Sequence, residues 1–439
     1  MSHNKMNGIK RFMKKLEFPT LFQRLVNMPF LVWVAVGFFI SYLFFFIQPI
    51  FLSSNIMQFP KYIKIMTPIG SDLQENLGFS TAWFVKRGSP YTGTNIYPPL
   101  ESVFLVPLLY VKFSVAYKII LFLNIFSYTL LTLALPLLII KARRVTSLIV
   151  LVFITGLSSY GLQFELERGQ FNLIAILFCF FAIWIYHYHN RYRLISYILF
   201  ILSVQMKIYP FIFIVMLVSD WHDWKNNLIR FLVLTTLNFG LFFILGLRVF
   251  LDFVNGITVK IIYLGTSISN HSIRSFINVV SKYASDHGWG WFQQYSGALQ
   301  IILLAMVAGC LFLIILHANH QKQTGLNPYL LLACTIGASL IPSLSYDYKL
   351  SILAGPVAIV LSEISSYTER TRRALRFVFF NLLVFIFSTV YASTLFSFTN
   401  KPLLLQNNCP ALLIMLFATT FLFFFLTPGS KVKNGRIGE

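Results

Sequence analysis

Apolar stretches long enough to cross a lipid bilayer recur along this sequence, and they restrict its fold more than any other feature. A spanning helix needs about 20 residues to cross a hydrocarbon core of about 30 Å. Hydrophobic residues make up 57% of the 439 residues and charged residues only 11%, whereas soluble domains carry about 25% charged residues. We therefore predict an all-α, polytopic integral membrane helical bundle, because a spanning segment must satisfy its own backbone polar groups.

The basic residues are concentrated in the segments between these apolar stretches. The formal net charge of +21 could indicate a nucleic-acid partner. The Lys and Arg residues, however, lie mainly in short segments that separate apolar stretches, as the positive-inside rule requires of cytoplasmic loops. We interpret the charge as a topology signal and predict no nucleic-acid partner.

Applying this rule along the chain predicts about twelve transmembrane helices, with both termini in the cytoplasm. A basic arm at residues 1–29 and a basic tail at 428–439 flank one transmembrane catalytic domain at 30–427. Residues 53–110, with interfacial helices, and 248–292 are predicted to be the two large outer loops. The predicted spans are 30–52, 114–140, 146–163, 171–188, 193–206, 209–219, 231–247, 297–316, 327–343, 350–362, 375–396 and 410–427.

The N-terminal apolar stretch is too long for a cleavable signal peptide and lacks a small-residue cleavage site. We therefore predict that it is the first transmembrane helix. This favours a bacterial inner membrane with the polar turns facing the periplasm or the exterior, and a lumenal site in the endoplasmic reticulum is topologically equivalent. The cysteines lack paired ligand spacing, so we predict neither a disulfide framework nor a zinc site. They are Cys179, Cys310, Cys334 and Cys409.

Asp72 is the first candidate for chemistry, because it opens an amphipathic stretch in the first outer loop. A helix there would lie along the membrane surface and hold the carboxylate near the hydrocarbon boundary. From the residues alone, the favoured interpretation is that Asp72 caps this helix, since Asp commonly accepts from N-terminal amides. Capping and catalysis are compatible, and Glu75 and Glu101 are weaker candidates.

The turn FELERGQFN collects polar residues between two predicted spans. Ionisable groups at a membrane boundary are costly unless paired or hydrated, so a dense cluster suggests function. It is an equally good interpretation that Glu167 and Arg168 form an ion pair within the turn that has a structural role only. The polar residues of this turn are Glu165, Glu167, Arg168, Gln170 and Asn172.

Three further outer turns add cations and hydrogen-bonding groups. Lys207 lies in QMKIYP, and His271, which alone would be an ordinary loop histidine, lies in SNHSIRS. Together, the outer turns present the groups that a phosphate head group needs for binding and for stabilisation as a leaving group. The remaining polar residues of these turns are Asn270, Ser272 and Arg274, then Tyr346, Asp347, Tyr348 and Lys349 in PSLSYDYKL.

These motifs resemble the polyprenyl-phosphate-dependent glycosyltransferases of the GT-C superfamily, most closely glycosyltransferase family 87, the alpha-mannosyltransferase-related group. The matching elements are Asp72, the segment RGSPYTGTNIYPPL that contains Tyr97, RGQFNL, QMKIYP, SNHSIRS and SYDYKL. Each is weak alone, and their order, spacing and shared outer location make the combination specific.

The resemblance implies transfer of a hexose, mannose-like, or a related sugar from a polyprenyl-phosphate donor to an acceptor hydroxyl, with inversion. The acceptor would be a glycan or a glycolipid. Asp72 would be the general base. The resemblance further implies that phosphate or sugar oxygens contact Arg168, Gln170, Asn172, Lys207, Asn270, His271, Arg274 and Lys349, with Glu75, Tyr97, Glu167, Tyr346 and Asp347 as other candidates.

The chain departs from the family pattern at two positions. His271 stands where glutamine is common, and SYDYKL lacks a histidine often present there, so the sugar and the acceptor stay open. We see no metal-ligand spacing and predict no metal site, no cofactor beyond the lipid-linked sugar and no obligatory divalent metal.

Two other functions fit parts of the pattern. An envelope glycan polymerase or ligase would use a polyprenyl-diphosphate donor and need not depend on Asp72. A lipid or solute transporter or flippase would keep its essential polar residues near mid-membrane, whereas the central stretches of these helices carry almost no charge.

Overall fold

The structure is a computed structural model that describes residues 69–91, 95–140, 147–157, 159–264, 269–320, 325–366 and 407–426, with Phe39, Leu382 and Leu383. The predicted N-terminal arm and C-terminal tail lie outside the described residues. So do nearly all of the predicted spans at 30–52 and 375–396.

The described residues form an all-helical fold with fifteen α-helices. They are α1 (Ser71–Phe84), α2 (Pro99–Phe104), α3 (Phe113–Thr129), α4 (Leu135–Ile140), α5 (Ser147–Leu157), α6 (Tyr160–Arg168), α7 (Asn172–Tyr188), α8 (Arg193–Met206), α9 (Trp224–Leu241), α10 (Leu247–Leu264), α11 (Ile273–Asp286), α12 (Trp291–His320), α13 (Pro328–Leu340), α14 (Ala354–Ser366) and α15 (Cys409–Leu426). Short 3-10 helices are Val106–Tyr110, Asn190–Tyr192, Tyr209–Met216 and Asp347–Leu353, and a π-helical turn is Leu130–Ala134.

Two helical stretches are long and apolar enough to cross a membrane. The first is Phe113–Ile140, in which the π-helical turn joins α3 to α4, and the second is Trp291–His320. A third results if α5 and α6, which are bent by 49° relative to each other, form one broken span. The chain is therefore a helical membrane protein, and the predicted number of about twelve spans stays a prediction.

Several predicted spans coincide with single helices. Residues 171–188 correspond to α7 and residues 193–206 to α8. Their apolar residues continue without Gly or Pro, so length and hydropathy sufficed to locate them. The predicted span at 231–247 is shifted, because α9 begins at Trp224 and ends at Leu241.

The segment predicted as the large outer loop, residues 248–292, is itself mostly helical. It contains most of α10 and all of α11. Ile273, Ile277 and Ala284 are buried on one side of α11, as expected where apolar residues recur at helical spacing. Because the segment contains many polar residues, hydropathy alone did not indicate a helix there.

The packing of the helices brings the polar turns together. The helix α7 packs against α8, and α6 packs against the 3-10 helix Asp347–Leu353. Every residue of α13 is buried. Consequently the ends of α6 and α8, the start of α1 and the turn before the 3-10 helix surround one space.

Candidate functional site

A cavity of about 1010 Å³ lies between the start of α1, the end of α6, α10 and the turn at residues 342–349. Its lining combines charged and apolar side chains. The cations are Arg168, Lys207, Lys260 and Lys349, and the carboxylates are Asp72, Glu75 and Asp347. Apolar walls come from residues such as Ile208, Phe211, Ile212, Ile257, Ile261 and Ile341. Such a space can take a ligand with an anionic part and an apolar part.

Two glycines allow the start of α1 to approach the end of α6. Gly70 and Gly169 have φ angles of 79° and 66°, in the left-handed region that side chains disfavour. A Cβ atom on Gly169 would lie 2.9 Å from the Cβ of Leu73. The Gly70 amide also donates a hydrogen bond of 2.7 Å to the Glu167 carbonyl. This close contact brings Asp72 and Arg168 together.

Asp72 is held by two side chains from the RGQ turn. The Nε atom of Arg168 lies 3.0 Å from Oδ1 of Asp72, and the Nε2 group of Gln170 donates to Oδ2. The Asp72 side chain is 15% exposed. Gly70, in the left-handed conformation, is the N-cap of α1, and no side-chain hydrogen bond caps the helix. The interpretation of Asp72 as a helix cap is therefore wrong.

Arg168 is oriented by more than one contact. Its Nη1 group donates to Oγ of Ser71 at 2.8 Å, and its guanidinium lies 5.5 Å from the centre of the Phe164 ring. An internal Glu167–Arg168 pair therefore does not by itself account for the cluster. Glu167 is buried and, unlike Arg168, is not part of the cavity lining.

Glu165 organises the backbone that follows the turn. Its Oε1 accepts from the Asn172 amide at 2.6 Å and the Leu173 amide at 3.3 Å, and its Oε2 accepts from the Asn172 side chain at 2.8 Å. These bonds satisfy amides at the start of α7 that have no partner within the helix. Glu165 is buried and holds Asn172, which lines the cavity, in position.

Lys207 connects to Asp72 through Gln170. Its Nζ group donates to Oε1 of Gln170 at 2.8 Å and lies 3.9 Å from the centre of the Tyr97 ring. Burial lowers the pKa of Lys207 to about 8, against the opposing effect of Glu165 and other carboxylates. The charge of this lysine is therefore sensitive to pH in the physiological range.

Lys349 is a second buried lysine in the lining. Its Nζ group donates weakly to the carbonyls of Ala338 and Leu344, at 3.4 and 3.3 Å, and lies 4.2 Å from the centre of the Tyr209 ring. Burial lowers the pKa of Lys349 to about 7, and the charge of Lys207 adds to the effect. A bound anion would favour its charged form.

The SNHSIRS residues lie behind this cavity. The side chain of Asn270 bonds the backbone of Ser272, Ser343 and Ser345. Within the described part of the chain, neither Asn270, His271 nor Arg274 belongs to the lining. Asn270 and His271 are buried, and Arg274 is half-buried on α11.

Most of the other candidates line the cavity directly. Tyr97 is within hydrogen-bond distance of Gln170, at 3.3 Å from Oε1, and Tyr346 and Tyr348 lie side by side, with ring centres 5.9 Å apart. Glu75 is exposed on α1, and Glu101 is buried outside the lining.

Sequence reasoning missed Lys260, which also lines the cavity. Burial lowers its pKa, and Glu75 and Asp72 oppose the shift. It shares one side of α10 with Ile257 and Ile261, at the spacing of a helical face. That spacing would have pointed to Lys260 if the segment had been recognised as a helix.

The described residues contain no group of three or more His, Cys, Asp or Glu side chains placed to hold a metal ion.

The fold and the cavity define a helical membrane protein with a polar site suited to an anionic ligand. The sequence profile of glycosyltransferase family 87 matches residues 95–343, more than half of the chain. The chain belongs to glycosyltransferase family 87 and is a glycosyltransferase. No curated protein and no solved structure gives a match. The profile covers Arg168, Gln170 and Lys207, whereas Asp72, Asp347 and Lys349 lie outside it.

Proposed function

We propose that this glycosyltransferase moves a hexose, mannose-like, from a polyprenyl-phosphate donor to an acceptor hydroxyl on the extracytoplasmic face, with inversion and with Asp72 as general base. The observation that carries the proposal is the convergence of Asp72, Arg168 and Lys207 on one cavity with apolar walls. The acceptor is a glycan or a glycolipid.

The contacts of Asp72 suit a general base. Arg168 and Gln170 hold the carboxylate in a defined orientation at the cavity surface. In the reaction, Asp72 takes the acceptor proton as the hydroxyl oxygen attacks the anomeric carbon. The bond from that carbon to the phosphate oxygen breaks on the opposite face, which inverts the configuration. Such proton transfer contributes about 100- to 10,000-fold to a rate.

The positively charged residues of the cavity can stabilise the phosphate that leaves during sugar transfer. The phosphate leaves already ionised and needs no proton, so one carboxylate suffices where a glycosidase uses two. Arg168, Lys207 and Lys349 offer positive charge from three segments of the chain. Charge placed in advance around a developing phosphate lowers the barrier, because no reorganisation is needed during the reaction.

The apolar part of the lining suits the isoprenoid tail. Ile208, Ile212 and Ile341 lie on the same cavity as Lys207. We propose that one transmembrane domain of about twelve helices, with cytoplasmic termini, presents this cavity to the outer leaflet of a bacterial inner membrane.

The donor class can be tested with the purified protein in nanodiscs and proteoliposomes. We expect glycosyl product from polyprenyl-monophosphate sugars and none from polyprenyl-diphosphate oligosaccharides. Product only from the diphosphate donors would favour a polymerase or ligase. Movement of labelled lipid between leaflets without any product would favour a flippase.

The rate of donor use is expected to depend on pH through the two buried lysines. Phosphate binding needs their charged forms, and burial lowers the pKa of Lys349 to about 7 and that of Lys207 to about 8. Since kcat/KM reports groups of the free enzyme, kcat/KM for the donor should fall as the pH rises from about 7 to about 9.

Lys207→Arg is the matched control for this profile, because a guanidinium stays charged throughout the range. The variant should lose the part of the decline that Lys207 causes and keep the part caused by Lys349. A profile that is flat up to about pH 9.5 in the unmodified protein would contradict the assignment.

We also propose that the reaction needs no divalent metal, because Arg168, Lys207 and Lys349 supply the positive charge at the phosphate. Activity should be unchanged after treatment with EDTA. Loss of activity that magnesium or manganese restores would contradict this proposal.

A further inference from the structure

Asp347 is held in the cavity wall by a network that the proposed reaction does not use. The turn that carries it pairs with the SNHSIRS segment through an antiparallel bridge between Asn270 and Tyr346. The His271 amide donates to the Ser345 carbonyl at 2.7 Å, and the Ser345 amide donates to Oδ1 of Asn270 at 2.8 Å. These bonds fix the backbone on which Asp347 sits.

The side chain of Asp347 is fixed by His271. The Nδ1 atom of His271 lies 3.1 Å from the backbone amide of Asn408, which can only donate. Nδ1 is therefore the acceptor, and Nε2 carries the proton of the neutral imidazole. Nε2 lies 2.5 Å from Oδ1 of Asp347 and donates to it. The histidine is 1% exposed, so its role is exerted through Asp347.

This arrangement leaves one carboxylate oxygen for a ligand. Asp347 lines the cavity, and His271 occupies Oδ1. In the described part of the chain, Oδ1 of Asp347 accepts from His271, and Oδ2 takes no hydrogen bond from a protein group. Because Asp347 lines the cavity, a ligand hydroxyl there can donate to Oδ2.

Aromatic contacts place the Asp347 turn near the Asp72 end of the cavity. The guanidinium of Arg168, which pairs with Asp72, lies over the ring of Phe164 at 5.5 Å. The centre of that ring is 5.8 Å from the centre of the Tyr348 ring. Tyr348, the neighbour of Asp347, therefore packs against Phe164, which in turn contacts the arginine that pairs with Asp72.

The charge of Asp347 indicates which part of the substrate it meets. A carboxylate repels a phosphate, and an isoprenoid offers no hydrogen bonds. The remaining hydrogen-bond donors are hydroxyls of the transferred hexose and of the acceptor, and donors that each lack one hexose hydroxyl distinguish the two. Resting on the proposed function, we propose that Asp347 binds a hydroxyl of the transferred hexose and thereby selects the sugar, with His271 as its positioning residue.

The test measures both binding and turnover with a series of polyprenyl-phosphate hexoses, each lacking one hydroxyl. In nanodiscs, Asp347→Asn should weaken binding and lower kcat/KM for the complete hexose by about 10- to 100-fold, the usual effect of losing a hydrogen bond to a charged group. One deoxy donor lacks the hydroxyl that Asp347 binds. For this donor, Asp347→Asn and the unmodified protein should have the same affinity and the same kcat/KM. Asp286→Asn, an exposed carboxylate at the end of α11, is the matched control.

His271 variants test the positioning role. His271→Gln keeps a side-chain donor for Asp347 and should retain discrimination among the deoxy donors. His271→Phe removes the donor and should reduce that discrimination, while the donor lacking the partner hydroxyl is unaffected. A merely structural role would lower the use of all donors alike in both variants.

Three results would overturn the proposal. One is an equal loss in Asp347→Asn for every donor of the series. Another is complete loss of turnover with intact binding, which would make Asp347 the base. The third is that Asp347→Asn binds every donor of the series with the same affinity as the unmodified protein. Failure of the proposed function is recognised separately, because it appears as absent turnover in the unmodified protein while the binding series still tests Asp347.

Discussion

Asp72→Asn is expected to lower kcat for sugar transfer by about 100- to 10,000-fold, the usual contribution of a general base. The amide has nearly the shape of the carboxylate but cannot take a proton from the acceptor hydroxyl. Donor binding should persist, because Arg168 and Lys207 remain. The measurement is single-turnover transfer at saturating donor, with donor binding measured in parallel.

Two further variants make this result specific. Glu75→Gln changes the other carboxylate of α1 in the cavity lining, one helical turn beyond Asp72, and tests whether it is the base instead. Asp286→Asn changes an exposed carboxylate outside the lining and should leave activity unchanged. If Asp72→Asn turned over at the normal rate while Glu75→Gln did not, the base would be misassigned.

Lys207→Met is expected to lower kcat/KM for the donor by about 100- to 1,000-fold, the range found when one group that stabilises an oxyanion is removed. Methionine keeps the length of the side chain and removes its charge. The ammonium of Lys207 donates to Gln170, which in turn donates to Asp72. The variant therefore loses the positive charge that stabilises the leaving phosphate. It also loses a hydrogen bond that helps to hold Gln170, and through Gln170 the base Asp72, in position.

Folding must be checked for this variant, because Lys207 offsets the charge of the buried carboxylates Glu101 and Glu165. Thermal unfolding measured in the same detergent separates instability from lost chemistry. Lys282→Met, an exposed lysine on α11, is the matched control and should behave as the unmodified protein. Normal kcat/KM in folded Lys207→Met would contradict a phosphate contact at this position.

The helical fold was predictable where hydropathy alone decides structure. The helices α7 and α8 lie at the positions that the apolar stretches indicate, and the stretch at 114–140 corresponds to Phe113–Ile140. The 3-10 helix Tyr209–Met216 lies where a transmembrane span at 209–219 was predicted, because hydropathy does not distinguish a 3-10 helix from an α-helix. The polar content of α10 and α11 hid their helical periodicity.

The candidate site was predictable as a set of residues but not as a set of contacts. Asp72, Arg168 and Lys207 were found because polar groups gathered at the ends of apolar stretches. The pairing of Asp72 with Arg168 depends on the close approach of Gly70 and Gly169, a tertiary contact that neither motif reveals.

The roles of the SNHSIRS residues were least accessible from sequence. Asn270 and His271 carry side chains typical of sugar contacts, yet their partners come from the distant turn at residues 343–347 and from Asn408. Only the folded chain shows that these side chains hold that turn from behind the cavity wall.

The most direct test of the account is the fate of one labelled polyprenyl-phosphate hexose offered to the purified protein, with Asp72→Asn alongside. We predict one molecule of polyprenyl monophosphate for each glycosylated acceptor, with inverted anomeric configuration, and both products from Asp72→Asn at a rate about 100- to 10,000-fold lower. A product with retained configuration, or equal turnover by Asp72→Asn, would contradict direct displacement with Asp72 as the base.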